Sequence, residues 1–435
     1  MGDPDALTHR RVLAIAWPIV LANITVPLLG AVDTGVVGRM GQAAPIGGVG
    51  LGAVILTSVY WIFGFLRMGT SGLVAQSHGA GDEAEGGAHL IRALSIGLGA
   101  GAVLIALQGP ATALALRLSP ASAEVERLAS HYLAIRIWGA PATIGMYALT
   151  GWMIATERTR GVLAVQMVLN VVNVGLDLLF VLGLGWGVRG VAAATLTAEL
   201  AGFAVALGVA WPALAAGWRR GGLWVRARLG RMLRVNGDIM LRSVLLQGAI
   251  TSFVFLGAGM GDVTLAANQV LMQFLAITAY ALDGFAFAAE SLVGQAVGAR
   301  RPDRVRRAAV LTSAWGAGGA LALSAAFALS GMPLIGVLTT SAEVRAAAAT
   351  YLPWLVAAPV AGVASWMLDG IFIGATLTRE MRHAMVVSVG IFGLAVVPLA
   401  QGLGNHGLWA ALMLLNLARA ATMMRFYRRA ECLAA

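Results

Sequence analysis

The chain contains no lysine: all 30 of its basic residues are arginine. It has a single cysteine, Cys432, so no internal disulfide and no thiolate metal cluster can form. Charge of either sign is scarce, at 11% of residues against about 25% in soluble globular chains. The six histidines are scattered and form no paired metal-ligand set, HExxH or nucleophile elbow. A metalloenzyme or hydrolase reading therefore has nothing to stand on, and neither a metal site nor an organic cofactor is expected. Asp3 and Asp5 precede the first apolar run and no small-residue cleavage pattern ends it, so no removable leader is expected.

What fills the chain instead is apolar sequence, 59% of its 435 residues. Runs long enough to cross a bilayer, which takes about 20 residues, fall at roughly 12–38, 46–77, 89–108, 128–155, 161–185, 188–213, 235–259, 264–298, 306–330, 347–376, 383–402 and 406–427. The expected fold class is an all-α integral membrane protein with twelve transmembrane helices. The net charge of +10 does not indicate nucleic acid, because of where the arginines sit. Twenty flank one set of span ends, among them Arg219, Arg220, Arg226, Arg228, Arg231 and Arg234 in one stretch and Arg300, Arg301, Arg304, Arg306 and Arg307 in another. Only Arg39, Arg117, Arg127, Arg189 and Arg345 flank the other set. Positive charge marks the cytoplasmic side, which places both termini there.

The second half repeats the first at an offset of 219 residues. Gln76 corresponds to Gln295, Gly79 to Gly298, Trp61 to Tyr280 and Gly151 to Gly370. Six spans per repeat give both halves the same membrane orientation, a parallel repeat of the kind many transporters use. The expected organisation is an N-terminal lobe at 1–213, a cytoplasmic amphipathic linker at 214–234 and a C-terminal lobe at 235–435. The linker carries Trp218 and Trp224 among its arginines and is expected to lie on the anionic inner leaflet.

Function should lie with the polar residues that break the apolar runs. Asp33 lies in the first span, which Pro18 and Pro27 interrupt. A carboxylate in hydrocarbon costs at least ~2.5 kcal/mol on insertion scales, so it marks a cavity, partner or ion path. The fifth span carries Gln166, Asn170, Asn173 and Asp177 on one helical face. Counted at 1.5 Å per residue, Asp33, Asp177 and Thr195 lie at one depth, roughly 9–12 Å below the outer boundary. Two carboxylates brought together cannot both stay ionised cheaply, so at least one should exchange a proton near neutral pH. Glu199, one turn beyond Thr195, is a further candidate for lining that cavity. In the second half Ser252 stands where Asp33 would, and Phe392 where Asn173 would. That half has acids of its own, Asp283, Glu290 and Asp369. They are candidates for a second ion site, a substrate-binding acid or a gate seam.

The segments VDTGVVGRMG at 32–41, LDGFAFAAESLVGQAVGA at 282–299 and LDGIFIGATLTREMR at 368–382 resemble the multidrug and toxic compound extrusion (MATE) family, most closely its DinF-like branch. The resemblance covers the whole chain. It implies a V-shaped pair of six-helix lobes and a secondary active transporter, not an enzyme. The implied activity is cation-coupled antiport of cationic or amphipathic drugs out of the cytoplasm by alternating access. Asp33, Asn173, Asp177 and Thr195 match, one by one, the first-lobe coupling site of the related branch, and Pro18 matches its bend-prone proline. Another branch binds sodium through acids on spans 7 and 10. Here span 7 has only Asp238, at its inner end, and Asp369 is displaced, which argues against a second-lobe sodium site. The expected coupling ion is the proton, with sodium as the alternative. The expected location is a bacterial-type inner membrane, with the lipid bilayer and a small organic cation as partners, no nucleic acid, and a functional monomer. The runners-up are a lipid or lipid-linked oligosaccharide flippase of the same superfamily and a sodium-coupled exporter of one metabolite.

Overall fold

A computed structural model of the chain describes residues 7–38, 43–117, 119 and 121–435. Arg39, which sets the outer end of the first span in the sequence, lies outside the described residues, as does the side chain of Pro27. The elements are α1 (His9–Gly38), α2 (Ala43–Trp61), α3 (Phe65–Gly79), α4 (Glu83–Ala106), α5 (Gln108–Arg117), α6 (Ala123–Arg136), α7 (Ala140–Ala155), α8 (Thr159–Asp177), α9 (Gly187–Arg220), α10 (Arg226–Ala258), α11 (Asp262–Gly298), α12 (Pro302–Leu338), α13 (Ala342–Gly374), α14 (Thr378–Leu403), α15 (Asn405–Met424) and α16 (Arg428–Cys432). No strand occurs among the described residues, and ten helical segments there are long and apolar enough to cross a membrane. The fold is thus the expected all-α membrane architecture.

Several spans are not single α-helices. α2 and α3 are joined through a 3-10 turn at Ile62–Gly64, and α6 and α7 through another at Ile137–Gly139. Pro141 follows at the start of α7, where its missing N–H costs no hydrogen bond. α8 passes at Asp177 into a π-helical stretch, Leu178–Gly183. Pro18 does not end its helix, for α1 is continuous from His9 to Gly38.

The chain divides into two compact units. One comprises 1–20, 79–81 and 233–435; the other 21–78 and 82–232. The first half of α1 therefore groups with the C-terminal helices, and the division within α1 falls two residues after Pro18. In the former unit Gly284 of α11 sits against α1 so closely that a Cβ there would lie 2.8 Å from the Ala16 carbonyl. The stretch 214–234 does not form an element of its own. Its first part closes α9, which runs to Arg220, and its last part opens α10 at Arg226.

The repeat is built into the backbone of each unit. A Cβ on Gly151 would stand 2.4 Å from the Arg67 carbonyl oxygen, and one on Gly370 would stand 2.3 Å from that of Ala286. These are the same contact, because both residues of the second pair lie 219 positions after those of the first. Ser122 and Ser341, equivalent by the same offset, each cap a helix by accepting from the N–H three residues on. Left-handed turns recur too, at Gly81 and Arg300 (φ 73° and 54°) and at Glu157 and Thr376 (φ 56° and 53°). A core of the C-terminal unit centres on Trp409 and Phe253, which meet edge-to-face at 5.2 Å. The other unit has two main cores, around Tyr132 and Leu66 and around Leu149 and Trp152.

Candidate functional site

Within the unit formed by 21–78 and 82–232, α1, α8 and α9 bring four of the expected residues together. Asn173 and Asp177 are one turn apart on α8 and are fully buried, Thr195 of α9 is 5% exposed, and Asp33 of α1 is half-buried. Asn173 is the hub. With its amide nitrogen turned toward the acids, it donates to Asp33 Oδ1 (3.1 Å) and Asp177 Oδ2 (3.2 Å), while its oxygen accepts from Thr195 Oγ1 (3.2 Å). Thr195 Oγ1 also lies 2.9 Å from the Val191 carbonyl, to which its hydroxyl can donate instead.

Ionised carboxylates only accept, so they require the amide nitrogen; a protonated one can donate to the amide oxygen. Thr195 follows either way, since its hydroxyl can donate to Asn173 or to Val191. The second carboxylate oxygen of Asp177, Oδ1, is buried with no hydrogen-bond partner among the described residues. Asp177 is also the last α-helical residue before the π-helical stretch, a local feature that is frequent at functional sites.

The other half of the polar stripe on α8 is separate. Gln166 donates to Asn170 at 3.0 Å, and both are half-buried. Glu199 is gripped by Arg136 of α6, whose Nη1 and Nη2 donate to it at 2.5 and 2.8 Å. Arg136 also donates from Nε to the Tyr132 hydroxyl at 3.3 Å. Glu199 thus carries a matched charge. Its partner stands 63 positions away in sequence, and only the packing of α6 on α9 reveals it.

The C-terminal unit handles its acids differently. Asp369 Oδ2 accepts from Arg242 of α10 and from Arg419 of α15, the latter at 2.6 Å, and Arg419 is in turn held by Asn416 at 3.1 Å. Asp238 accepts from Arg382 (2.5 Å) and from the Thr378 hydroxyl (3.2 Å). On α11, Glu290 is fully buried and Asp283 half-buried. Phe392, in the place equivalent to Asn173, is packed into the apolar core, and Ser252 donates to its own helix at Gly248. No counterpart of the Asn173 hub exists there among the described residues. That unit instead holds a reciprocal amide pair, Asn268 with Asn405 at 2.7 and 2.9 Å, with Trp409 donating to Asn268 at 2.9 Å. Every partner in it is satisfied, as a structural seam requires.

A buried polar cluster inside a repeated, membrane-spanning helical fold is the architecture of a transporter. The MatE family profile matches the chain twice, over 18–179 and 239–399, once in each half. The chain belongs to this family, whose members are secondary transporters and not enzymes. It is 38% identical to DNA damage-inducible protein F of Escherichia coli K12 over 427 residues, covering 95% of this chain and 91% of that one. It is 29% identical over 432 residues to a probable multidrug resistance protein NorM of Bradyrhizobium diazoefficiens, with 91% and 88% covered. Among solved structures, a MOP superfamily transporter from Pyrococcus furiosus superposes with a TM-score of 0.85 at 19% identity, covering 100% of this chain and 97% of that chain. The Vibrio cholerae MATE transporter VcmN in its bent form gives 0.86 at 19% identity, covering 98% and 97%.

Proposed function

We propose that this protein is a proton-coupled antiporter of a bacterial inner membrane that exports cationic or amphipathic organic compounds, with Asp33, Asn173, Asp177 and Thr195 as its coupling site. The observation that carries the reading is the Asn173 amide, which joins both carboxylates to the Thr195 hydroxyl at 3.1–3.2 Å. A proton arriving on Asp33 or Asp177 turns that carboxyl from an acceptor into a donor and so changes its bond with the Asn173 amide. α1, α8 and α9 are thereby re-tied at one point. A proton can bias a transport cycle only by favouring one of two conformations, and a bond set that differs between protonation states supplies that difference. Pro18 marks where α1 is weakest in backbone hydrogen bonding. The likeness to a NorM multidrug resistance protein supports drugs as the cargo. The arginine-rich span ends are read as cytoplasmic, with both termini there, and the monomer is taken as the working unit.

The test is transport of a fluorescent cationic dye in proteoliposomes under an imposed pH gradient, and separately under a sodium gradient. Dye should move on the pH gradient alone, and Asp33→Asn and Asp177→Asn should each abolish gradient-driven transport. Transport that persists in both variants overturns the site. Transport that follows sodium alone overturns the coupling ion.

A further inference from the structure

Two surface cavities lie outside the site and occupy matching places in the two repeats. In the N-terminal repeat a groove of about 490 Å³ runs between α4 and α9, lined by Ile91, Leu94 and Leu98 on one side and by Trp211, Trp218 and Arg219 on the other. In the C-terminal repeat a groove of about 350 Å³ is lined by Val310, Ser313 and Ala317 of α12, together with Arg306 and Tyr427. Val310, Ser313 and Ala317 are the residues 219 positions after Ile91, Leu94 and Leu98. The same face of the third helix of each repeat has therefore been kept open.

Each groove is apolar along its length and cationic at one end. α9 has 34 residues and is about 51 Å long at 1.5 Å per residue, well beyond the hydrocarbon thickness of ~30 Å. Its last turns therefore leave the hydrocarbon, which puts Trp211 and Trp218, 68% and 69% exposed, near the membrane–water interface. Arg220 next door is spent on Asp82 and Glu85, but Arg219 makes no ion pair among the described residues. Arg306 likewise makes no ion pair among the described residues, and its charge stands near the Tyr427 hydroxyl, which is also hydrogen-bonded with Glu431. Both arginines lie at the arginine-rich span ends. An apolar slot on the perimeter of a membrane helix pair, closed at the interface by an uncompensated guanidinium and an aromatic ring, matches one molecule: a phospholipid with a net negative headgroup. The slot takes an acyl chain and the arginine takes the phosphate, for which a guanidinium fork is suited.

We infer that these grooves are two equivalent binding sites for an anionic phospholipid, one per repeat, with Arg219 and Arg306 as the headgroup ligands. Neither groove includes a residue of the coupling site, so the inference stands apart from the proposed transport cycle.

Native mass spectrometry of delipidated full-length protein tests it, with phosphatidylglycerol and phosphatidylcholine of identical chains as the probes. Two saturable phosphatidylglycerol adducts are expected, with a preference over phosphatidylcholine of about fivefold or more, since one arginine near an anionic surface is worth ~1 kcal/mol. Arg219→Gln and Arg306→Gln should each remove one adduct and the double variant both. Leu98→Trp and Ala317→Trp fill the slots while leaving the arginines in place, and they should remove the same adducts. All these positions are at least partly exposed, and unchanged thermal unfolding confirms that the fold survives. Equal retention of the two lipids overturns the inference. So does survival of both adducts in the double arginine variant. If only the slot-filling variants keep their adducts, the lipid is held by surface charge alone and the groove assignment is wrong.

Discussion

The Arg136–Glu199 pair allows a sharp test of which acids of the N-terminal repeat do work and which hold the fold. Both hydrogen bonds of the fork are made, at 2.5 and 2.8 Å, and the two side chains are 9% and 13% exposed. Removing one member of such a pair leaves a charge in the interior and costs about 3–5 kcal/mol. Glu199→Leu does this to Arg136, which keeps only the Tyr132 hydroxyl; Arg136→Met does it to Glu199, which keeps nothing charged beside it. Replacing both removes both charges, and pairs exchanged for apolar residues of similar volume are often neutral or more stable. The double variant Arg136→Met/Glu199→Leu should therefore lie near the parent, with a coupling energy of roughly 3 kcal/mol or more in the cycle. The measurement is equilibrium unfolding of detergent-solubilised protein followed by tryptophan fluorescence, with dye transport recorded for the double variant. If the single variants lose less than ~1 kcal/mol, the pair behaves as a solvent-screened surface bridge and the burial argument fails. If the double variant is as stable as the parent yet does not transport, Glu199 belongs to the coupling machinery and not to the scaffold.

Three further outcomes follow from the repeat and the linker. Gly151→Ala and Gly370→Ala should both destabilise, each by about 1–3 kcal/mol, because each added methyl meets a carbonyl oxygen at 2.3–2.4 Å; unfolding midpoints of the two variants check this and should shift alike. Arg300→Gly, which installs the residue its counterpart Gly81 already has, should stabilise by roughly 1 kcal/mol by relieving a left-handed φ of 54°, seen as a higher thermal midpoint. Asp82 caps α4 and is tied to Arg220, which holds its carboxyl below the usual range. Its folded-state value being depressed, the contact is at full strength above about pH 5 and fades as pH falls through the lower folded value. Hydrogen exchange of 221–225 should be independent of pH-induced opening at neutrality and rise in acid, and Asp82→Asn should remove that acid dependence.

The spans, the repeat and three of the four clustered residues could be read from the sequence because polar residues are rare in an apolar chain, so that spacing and depth pick out Asp33, Asp177 and Thr195; the choice of Asn173 from the stripe on α8 rests on the family resemblance. Asn173 and Asp177 are one turn apart, and the depth of Asp177, counted from the span ends, matches that of Thr195 and Asp33. What could not be read depends on pairing between distant helices or on backbone geometry without a sequence code. Glu199 reads as a candidate cavity residue until α6 is seen against α9, where Arg136 holds it. Asp369 could be placed by depth, but its two arginines come from α10 and α15, and no local period links them. Nothing in the run after Asp177 announces a π-helical stretch. The boundary between α9 and α10 also escaped, since an amphipathic pattern continues into a helix as easily as it forms a separate one. The serine caps at 122 and 341 and the left-handed turns at 157 and 376 are visible in the sequence once the offset is known, yet only the backbone shows why they were kept.

The divergence of the two repeats also bears on where a proton can be handled. Packing features survive in both, because a carbonyl meeting a glycine, or a serine closing a helix, does the same task in each. The acids do not. In the C-terminal unit Asp369 and Asp238 are each matched by arginine, so adding a proton there would strand one or two guanidiniums in the interior and break the unit's own supports. In the N-terminal repeat the neighbouring arginine is already committed to Glu199, and Asp33 and Asp177 are held by an amide that is itself tied to a hydroxyl. Neutral donors of this kind can reverse their direction. A proton added to either acid turns it from an acceptor into a donor without stranding a guanidinium. Taking up a proton without stranding a guanidinium is what the proposed coupling site requires, and the arginine-matched acids do not offer it.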